Sequence, residues 1–459
     1  MKDLHYEQIV TVANLIRRRE LSPVELTVSL LNRIESLDRR LRSFVHVTAE
    51  AALTAAHTAE TEISRGHYRG ALHGIPLAVK DLFWTRDAPA AGGMKILQDF
   101  RPGRDATAVR RLREAGAVIL GKLEMTEGAY SDHHPSVAPP VNPWNSNYWT
   151  GISSSGPAVA VAAGLCYGAL ASDTGGSIRW PCSATGLTGI KPTWGRVSRD
   201  GTFALAPSMD HVGSMARSVA DTALLLEAIA GPDPLDPTAL HVSPPAAASI
   251  SGLRFGFDPA LTDSDVDAKV AQAMRGTIED LRRIGAVVVE VTPPDVVRAV
   301  SDWPDICAAE AAVAHEATYP ARRAEYGPVL AEVLERGRTL TAMDLQRANS
   351  RRMALRGEFD ALFTRIDVLV CPVQSFAPLT LEALGVMGKQ PELIARLQHF
   401  TCPFNMTGLP TVVLPAGQDD QGMPIGVQFV GRALRDDAAI AAGIVFQAAT
   451  DWHRRHPSV

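Results

Sequence analysis

The feature that most constrains the fold is a repeated alternation between helical patterns and short, wholly apolar runs. One such run, 77–79, ends at Lys80, and another, 117–120, follows a helical stretch at 105–115. Short apolar runs without polar alternation are typical of strands that are buried on both faces of a sheet. Helices that alternate with such strands cover the sheet from both sides. The sequence therefore predicts an α/β protein with a central sheet between layers of helices.

The length of 459 residues suits either two or three ordinary domains or one large enzyme domain. The best internal boundary is 232–245, a segment rich in proline and aspartate. Residues 132–157 are also irregular, and long aperiodic stretches inside compact enzymes are usually functional or covering loops. Residues 297–363 are predicted to be mostly helical.

The charge balance gives no indication of a nucleic-acid partner. The chain has 45 basic and 50 acidic residues, a net charge of −5, without long blocks of like charge. The apolar stretch 158–171 is too short to span a bilayer, and residues 1–20 lack the apolar segment of a signal peptide. Five scattered cysteines without a CxxC pair indicate core thiols in a reducing compartment, so we expect a cytoplasmic protein.

Two loops rich in glycine and serine carry the strongest chemical signal, GISSSG at 151–156 and DTGGSIR at 173–179. Glycines directly before a serine allow several backbone N–H groups to point into one small space, as an oxyanion hole requires. The alternative is that each loop is only a turn, which is the commoner outcome for either loop alone. Two such loops, separated by a helix and a strand, favour a catalytic site.

A serine nucleophile needs a base within hydrogen-bond reach, and the residues leave two alternatives for it. A histidine triad is disfavoured because the Gly-x-Ser-x-Gly elbow is absent at these serines and His133 and His134 have no acidic partner at a diagnostic spacing. Lys80 follows an apolar strand, where burial would lower its pKa and favour the neutral amine. A strand-end lysine can equally extend into solvent, and spacing alone does not decide between these positions.

A further near-motif, 116–123, has the glycine and lysine spacing of a phosphate-binding loop. Leu123 stands where magnesium needs a hydroxyl, and the interior of the segment is apolar, so a buried strand is the preferred interpretation. The histidine and cysteine spacings match no metal site, and we expect neither a metal nor another cofactor.

Several motifs, in order along nearly the whole chain, together resemble the amidase signature family. The N-terminal half carries Gly74-Ile75-Pro76, Val79-Lys80-Asp81, the two loops described above and Gly189-Ile190-Lys191-Pro192-Thr193. These motifs are followed by Asp210-His211-Val212-Gly213, Ala216-Arg217-Ser218-Val219-Ala220-Asp221, Pro403-Phe404-Asn405, Gly408-Leu409-Pro410 and Pro424-Ile425-Gly426-Val427-Gln428. The joint match in this order is highly specific.

The resemblance implies a single α/β/α domain over residues 1–459, with a mixed, twisted central sheet and a catalytic core at 74–231. It implies a triad of nucleophile, bridging serine and base, formed in that order by Ser177, Ser153 and Lys80. The implied oxyanion hole consists of the backbone N–H groups of Thr174, Gly175, Gly176 and Ser177. The implied supports of these loops are Ser154 and an ion pair between Asp173 and Arg179.

Three positions depart from the usual family pattern. Ile152 and Ser155 stand where glycine is usual, and Pro157 stands where serine is frequent. The peptide before the bridging serine is cis in similar proteins, so the resemblance implies a cis bond before Ser153. Ile152 then either accommodates this bond or helps to line the substrate pocket. Pro157 suits the first turn of the following helix.

The activity that the resemblance implies is hydrolysis of the C–N bond of small linear amides through an acyl-enzyme on Ser177. Esters and carbamates are further candidate substrates of the same machinery. The predicted pocket walls are the 126–150 loop, the helical segment 297–363 as a cover, and 374–404. Their apolar character favours an apolar or aryl substrate. The candidate substrate contacts are Tyr130, Ile152, Gln374 and Phe404.

The main alternative is the glutaminase subunit of a tRNA-dependent amidotransferase, which would supply ammonia to a partner. Such subunits share the motifs, but regions 127–130 and 133–142 differ from theirs, which favours a stand-alone enzyme. A catalytically silent binding protein is disfavoured because all three triad positions are filled. We expect a small-molecule amide as the partner, no nucleic acid and no membrane, and a homodimer is compatible with the resemblance.

Overall fold

The computed structural model describes residues 4–242, 252–263, 265–388 and 390–459. Eleven strands within these ranges form a single sheet. The strands are β1 (Phe44–Val47), β2 (Pro76–Lys80), β3 (Val118–Leu123), β4 (Gly168–Asp173), β5 (Thr188–Lys191), β6 (His211–Ala216), β7 (Arg254–Phe257), β8 (Val287–Glu290), β9 (Val368–Pro372), β10 (Thr411–Gln418) and β11 (Pro424–Gly431). Their order across the sheet is β1-β3-β2-β4-β6-β5-β10-β11-β9-β7-β8.

The sheet is mixed, as the resemblance implies. Strand β2 pairs in parallel with β3 and β4, and β7 pairs in parallel with β8 and β9. All other neighbours are antiparallel. Because β2 and β4 are adjacent and parallel, their carboxyl ends, at Lys80 and Asp173, lie at the same edge of the sheet. This shared edge positions the candidate site.

The two halves of the sequence each contribute one half of the sheet. Strands β1 to β6 precede the segment 232–245, and β7 to β11 follow it. The halves join where β5 pairs with β10, with Lys191 opposite Thr411 and Gly189 opposite Val413. The predicted boundary therefore separates two half-sheets of one continuous sheet. Residues 243–245 of that segment lie outside the described residues.

Fifteen α-helices accompany the sheet in the described ranges. They are α1 (Ile9–Arg17), α2 (Pro23–Leu41), α3 (Ala49–Ser64), α4 (Thr107–Glu114), α5 (Ser155–Ala162), α6 (Arg179–Thr185), α7 (Val219–Ile229), α8 (Ala268–Arg283), α9 (Val297–Ala314), α10 (Pro328–Thr339), α11 (Ala342–Leu362), α12 (Leu381–Met387), α13 (Pro391–Gln398), α14 (Cys402–Met406) and α15 (Asp436–Ala449). Short 3₁₀ helices lie at Leu4–Tyr6, Lys95–Leu97, Glu127–Ala129, Pro259–Thr262, Arg323–Glu325 and Trp452–Arg454. Among the described residues, no helix combines the length and apolarity needed to cross a membrane.

Helices cover both faces of the sheet, as two successive residues of β10 illustrate. Successive side chains of a strand point to opposite faces. Val412 faces α15, where a Cβ on Gly443 would lie 3.3 Å from Val412 Cγ1. Val413 faces α6, which also packs against Gly189 of β5 through the Cys182 thiol. The predicted α/β/α architecture is therefore confirmed.

The apolar runs are strands, and the strands that the sequence did not predict contain small or polar residues. Runs 77–79 and 117–120 belong to β2 and β3, and residues 297–363 contain α9, α10 and α11. Strands β5 and β6 were not predicted, because glycine interrupts both. Their backbones pack so closely that a Cβ on Gly213 would lie 2.1 Å from the Ile190 carbonyl oxygen. The glycine that weakens the strand pattern is thus required by the sheet.

Candidate active site

Lys80 ends β2 with its side chain fully buried. Its Nζ lies 2.6 Å from Ser153 Oγ and 2.9 Å from Ser172 Oγ. Burial lowers the pKa of Lys80 from 10.5 to about 7, while the carboxylates of Asp173 and Asp210 act in the opposite direction. The lysine therefore lies inside the protein, not in solvent, and a substantial fraction of it is neutral near pH 7.

Ser153 belongs to the segment 151–156, which we call the bridging loop, and its side chain is fully buried. The Ile152–Ser153 peptide bond is cis. The loop is held by Ser154, whose Oγ donates to the Ser172 carbonyl oxygen at 3.3 Å, and by the Thr126 N–H, which donates to the Ser153 carbonyl at 3.3 Å. Ile152 thus accommodates the cis bond, and it also lines a cavity beside the loop.

Ser177 belongs to the segment 173–179, the nucleophile loop, and lines the same cavity as Ile152. A Cβ on Gly175 would lie 2.6 Å from the Trp303 ring, and one on Gly176 would lie 2.5 Å from the Trp180 ring. Gly176 also has a φ of +143°, which side chains rarely allow. Both glycines are therefore required by close packing and backbone conformation.

Thr174 ties the nucleophile loop to two other segments of the chain. Its hydroxyl donates to Asp210 Oδ1 at 2.6 Å, and its carbonyl oxygen accepts from Trp303 Nε1 at 2.9 Å. Asp210 in turn accepts from the backbone N–H groups of Leu205 and Ala206. Asp210 is part of a motif in the sequence, but its role as a support of this loop was not predicted.

The predicted ion pair between Asp173 and Arg179 is present and completely buried. Arg179 Nη2 lies 2.8 Å from Asp173 Oδ1, and Nε lies 3.0 Å from Oδ2. Burial alone would raise the pKa of the Asp173 carboxyl, but the Arg179 guanidinium outweighs it and holds this pKa well below its usual range. The Ile178 N–H also donates to Asp173 Oδ2 at 3.0 Å. The carboxylate at the start of the loop therefore contacts both residues at the end of the loop.

Asn405 and Ser172 contact the site although neither was predicted as a site residue. Asn405 Nδ2 donates to the Asp173 carbonyl oxygen at 2.9 Å and to its Oδ1 at 2.8 Å. Asn405 Oδ1 also accepts from Arg179 Nη2. Ser172 is the residue before Asp173 on β4, and its hydroxyl faces Lys80. In the sequence, only the position of Ser172 next to the DTGGS motif indicates that it belongs to the site.

Two predicted substrate contacts, Gln374 and Phe404, do not line the cavity at Ser177. Gln374 Nε2 donates to the Phe376 carbonyl oxygen at 3.2 Å and lines a separate, very small cavity. Phe404 packs edge-to-face against Phe359, with ring centroids 5.6 Å apart, and lines another cavity. Successive residues of a helix point in different directions, so when Asn405 of α14 faces the nucleophile loop, Phe404 does not.

The cavity at Ser177 has a volume of about 620 Å³ and mostly apolar walls. The predicted contacts Tyr130 and Ile152 line it, and Tyr130 stacks on Trp303 with ring planes 12° apart. The predicted cover, 297–363, contributes only Trp303 among the described lining residues, and its role as a cover stays a prediction. Helices α12 and α13 supply that wall through Leu381, Leu384, Gly385, Ile394, Leu397 and Gln398.

A larger groove of about 920 Å³ runs along α3, far from these groups. Its lining includes arginine–carboxylate pairs such as Arg113 with Asp87 and contains none of the triad residues. Size alone therefore does not identify the site, whereas the buried lysine and serines do.

The near-motif at 116–123 forms strand β3, which confirms the preferred interpretation. Lys122 is buried, and its Nζ lies 3.0 Å from Asp81 Oδ1 in an ion pair. Gly121 is needed because a Cβ there would lie 2.1 Å from the His46 carbonyl oxygen. The lysine thus joins two neighbouring strands, and the segment is not a phosphate loop.

Comparisons with known proteins agree with this geometry. The Amidase family model matches residues 25–440. A putative amidase, AmiD, of Mycobacterium tuberculosis is 48% identical over 98% of this chain and 96% of its own length. A glutamyl-tRNA(Gln) amidotransferase subunit of Synechococcus elongatus is 36% identical, over 96% of this chain and 98% of that protein. The solved structure of the peptide amidase from Stenotrophomonas maltophilia superposes with a TM-score of 0.83 at 29% identity, covering 98% of each chain.

The mixed α/β/α sheet and the buried lysine and serines at its edge are those of a hydrolase that acts on carbon–nitrogen bonds. The chain belongs to the Amidase family.

Proposed function

We propose that this protein is a stand-alone amidase that cleaves small apolar or aryl linear amides through an acyl-enzyme on Ser177. The observation that carries the proposal is the 2.6 Å separation of Lys80 Nζ and Ser153 Oγ, at two fully buried residues beside the cavity that Ser177 lines. A base with a pKa near 7 can accept a proton at neutral pH.

In the proposed mechanism, neutral Lys80 accepts the proton of the Ser153 hydroxyl while Ser153 accepts that of Ser177. The Ser177 oxygen attacks the amide carbon, and the C–N bond breaks as the same relay returns a proton to the leaving amine. Water then attacks the acyl-enzyme ester, with its proton passing back through Ser153 to Lys80. The carboxylic acid leaves, and Ser177 regains its hydroxyl.

The tetrahedral oxyanion is held, in this proposal, by the backbone N–H groups of Thr174, Gly175, Gly176 and Ser177. Donors that are fixed before the reaction stabilise the developing charge without reorganisation. Asp210, Trp303 and the Asp173–Arg179 pair all contact this loop and hold it in place. These contacts support a positioning role for the ion pair and no role in proton transfer.

The walls of the cavity support an apolar or aryl substrate. Tyr130 and Trp303 form one stacked aromatic surface, and Trp149 and Trp180 form a second aromatic pair. Aromatic walls bind flat apolar groups through burial and ring contacts. Aryl esters and carbamates have the same shape and are attacked by the same acyl-transfer chemistry, so they are proposed as further substrates.

A glutaminase role in an amidotransferase is the second candidate, and the 36% identity to the glutamyl-tRNA(Gln) amidotransferase protein of Synechococcus elongatus favours it. Glutamine carries an α-carboxylate, for which a cationic side chain is the usual partner. Among the described residues that line the cavity there is neither a lysine nor an arginine, and Asp132 adds a negative charge. These features, with the higher identity to AmiD, support the stand-alone amidase.

The purified chain, assayed alone against aryl amides, aliphatic amides, carbamates and glutamine, tests the proposal. We expect turnover of aryl amides without any partner, and a mass increase of Ser177 by one acyl group when a slowly released acyl donor is used. Glutamine turnover that appears only in a complex would overturn the assignment in favour of the amidotransferase. The cytoplasmic location and the homodimer stay predictions.

A further inference from the structure

His133 reaches from the 126–150 loop to the segment that carries the bridging serine. Its Nε2 lies 3.1 Å from the Oγ of Ser155. Ser155 is fully buried, begins α5 and follows Ser153 by two residues. The contact depends on the hydroxyl that Ser155 supplies.

The imidazole of His133 also lines the cavity at Ser177. Burial lowers its pKa to about 4, so at neutral pH the ring is uncharged and offers one donor and one acceptor nitrogen. Ser155 engages Nε2, and Nδ1 has no partner among the residues that the structure describes. One ring nitrogen is therefore fixed by the protein, and the other remains available to a ligand.

His134, the next residue, lines the cavity in a different way. Its Nδ1 lies 2.6 Å from Ser136 Oγ and accepts from the Ser136 N–H at 3.1 Å. That imidazole is therefore tied to its own turn, whereas the ring of His133 bridges the loop and α5. Each of the two histidines has one ring nitrogen held by the protein, and His133 differs in that its contact joins the loop to α5, two residues from Ser153.

The surroundings of His133 select the kind of group that it can bind. Most of the other wall is apolar, and a few placed polar groups in an apolar cavity determine how a ligand is oriented. Asp132 supplies a negative charge, and the described lining includes no lysine or arginine to balance a carboxylate on the ligand. A neutral group with hydrogen-bonding capacity fits these conditions.

We propose that His133, held by Ser155, is a specificity-determining residue that binds a neutral hydrogen-bonding substituent, a carboxamide or a hydroxyl, on an otherwise apolar amide substrate. This inference rests on the proposed amidase function and narrows its substrate class. Ser155 acts as a positioning residue, because it fixes the ring without reaching the substrate itself.

Arylalkyl amides that carry hydrogen, hydroxyl, carboxamide or carboxylate at one ring position test this proposal. In the wild type we expect kcat/KM to be about three- to tenfold higher for the carboxamide than for the unsubstituted amide, as one hydrogen bond provides. The carboxylate is expected to be the poorest of the set. A preference for the carboxylate would overturn the proposal.

Variants of His133 and Ser155 test whether these residues cause the preference for the carboxamide. His133→Ala should bring the ratio of substituted to unsubstituted kcat/KM close to one, and His133→Asn, which keeps a hydrogen-bonding group, should retain part of it. Ser155→Ala should lower the ratio in the wild-type background and leave it unchanged when His133 is already alanine. His57→Ala, at an exposed histidine of α3, is the matched control and should keep the wild-type ratio.

The measured quantity is the ratio of kcat/KM for substituted and unsubstituted amides. A variant that only loses overall activity or folds less well leaves this ratio unchanged. If His133→Ala keeps the wild-type ratio, or lowers kcat/KM equally for all four substrates, the proposal is wrong. Calorimetric binding of the intact amides to Ser177→Ala protein separates this inference from the proposed function. Binding that depends on His133 without turnover in the wild type would contradict only the amidase function, and turnover that does not depend on His133 would contradict only this inference.

Discussion

The groups beneath Ser177 are fully buried and joined by ion pairs and short hydrogen bonds, whereas the surfaces above it are apolar and partly exposed. We use the term catalytic floor, after the proposed function, for Ser177 together with the groups beneath it, Lys80, Ser153, Asp173 and Arg179. We call the 126–150 loop, Trp303, α12 and α13 the cavity walls. The floor residues end strands or lie in the two glycine-serine loops, and contacts of about 3 Å join Lys80 to Ser153 and Asp173 to Arg179. The walls come from a loop and from helices that belong to the other half of the sheet.

This difference assigns separate functions to the two regions. A rigid sheet edge can hold reacting groups in fixed geometry, and loops and peripheral helices can vary without disturbing it. A change in the floor should therefore reduce the turnover of every substrate by a similar factor. A change in the walls should alter which substrate is preferred. Each prediction below tests one side of this distinction.

The largest effect is expected for Ser177→Ala, which removes the nucleophile. We expect kcat to fall on the order of 10⁴-fold or more for amides and esters alike. Mass spectrometry of the protein with a slowly released acyl donor should show no adduct. Ser36→Ala, at an exposed serine of α2, serves as the control and should keep both activity and adduct. Retained turnover in the Ser177 variant would show that Ser177 is not the nucleophile.

Asp173→Asn should lower the free energy of unfolding by about 3–5 kcal/mol, because it leaves the buried Arg179 guanidinium without a counter-charge. Urea unfolding followed by circular dichroism measures this change. The matched control is Asp420→Asn, in an exposed pair with Lys269, where a loss below about 1 kcal/mol is expected. Equal losses in the two variants would contradict a floor that is stabilised by buried charge.

The pH dependence of kcat/KM should report the base. Burial lowers the pKa of Lys80 to about 7, and only the neutral amine accepts a proton, so kcat/KM should rise with pH and level off above about 7. Because burial raises the pKa of Glu124 to about 7 as well, the profile of Glu124→Gln is the necessary control. An unchanged profile in that variant assigns the rise to Lys80, and a profile that becomes flat would assign it to Glu124.

The smallest effect is expected at the walls. Tyr130→Leu should lower kcat/KM for aryl amides by about three- to tenfold, the worth of one aromatic contact, and change it less for aliphatic amides. Tyr68→Leu removes a half-buried tyrosine away from the cavity and should not alter that ratio. Losses of the same size for both substrate classes would show that Tyr130 supports turnover in general and does not select aryl substrates.

Much of the floor was predictable from the sequence because it lies in short contiguous motifs. The two loops marked Ser153 and Ser177, and the motif at the end of β2 marked Lys80. The walls were predictable only in part, since two of the four predicted contacts line other cavities. Gln374 and Phe404 lie in the correct stretch of the chain, but a local pattern does not say which side of a short helix or turn faces the cavity.

The sequence by itself determined the α/β/α class and singled out Lys80, Ser153 and Ser177 as the candidate reacting residues. Only the tertiary structure decided whether Lys80 is a base, since a strand-end lysine can extend into solvent or be buried. It is buried because β3 and β4 flank β2 and the bridging loop covers its end, which brings together segments far apart in the sequence. Desolvation then lowers the pKa of Lys80, and that depends on all its neighbours together and not on any local pattern.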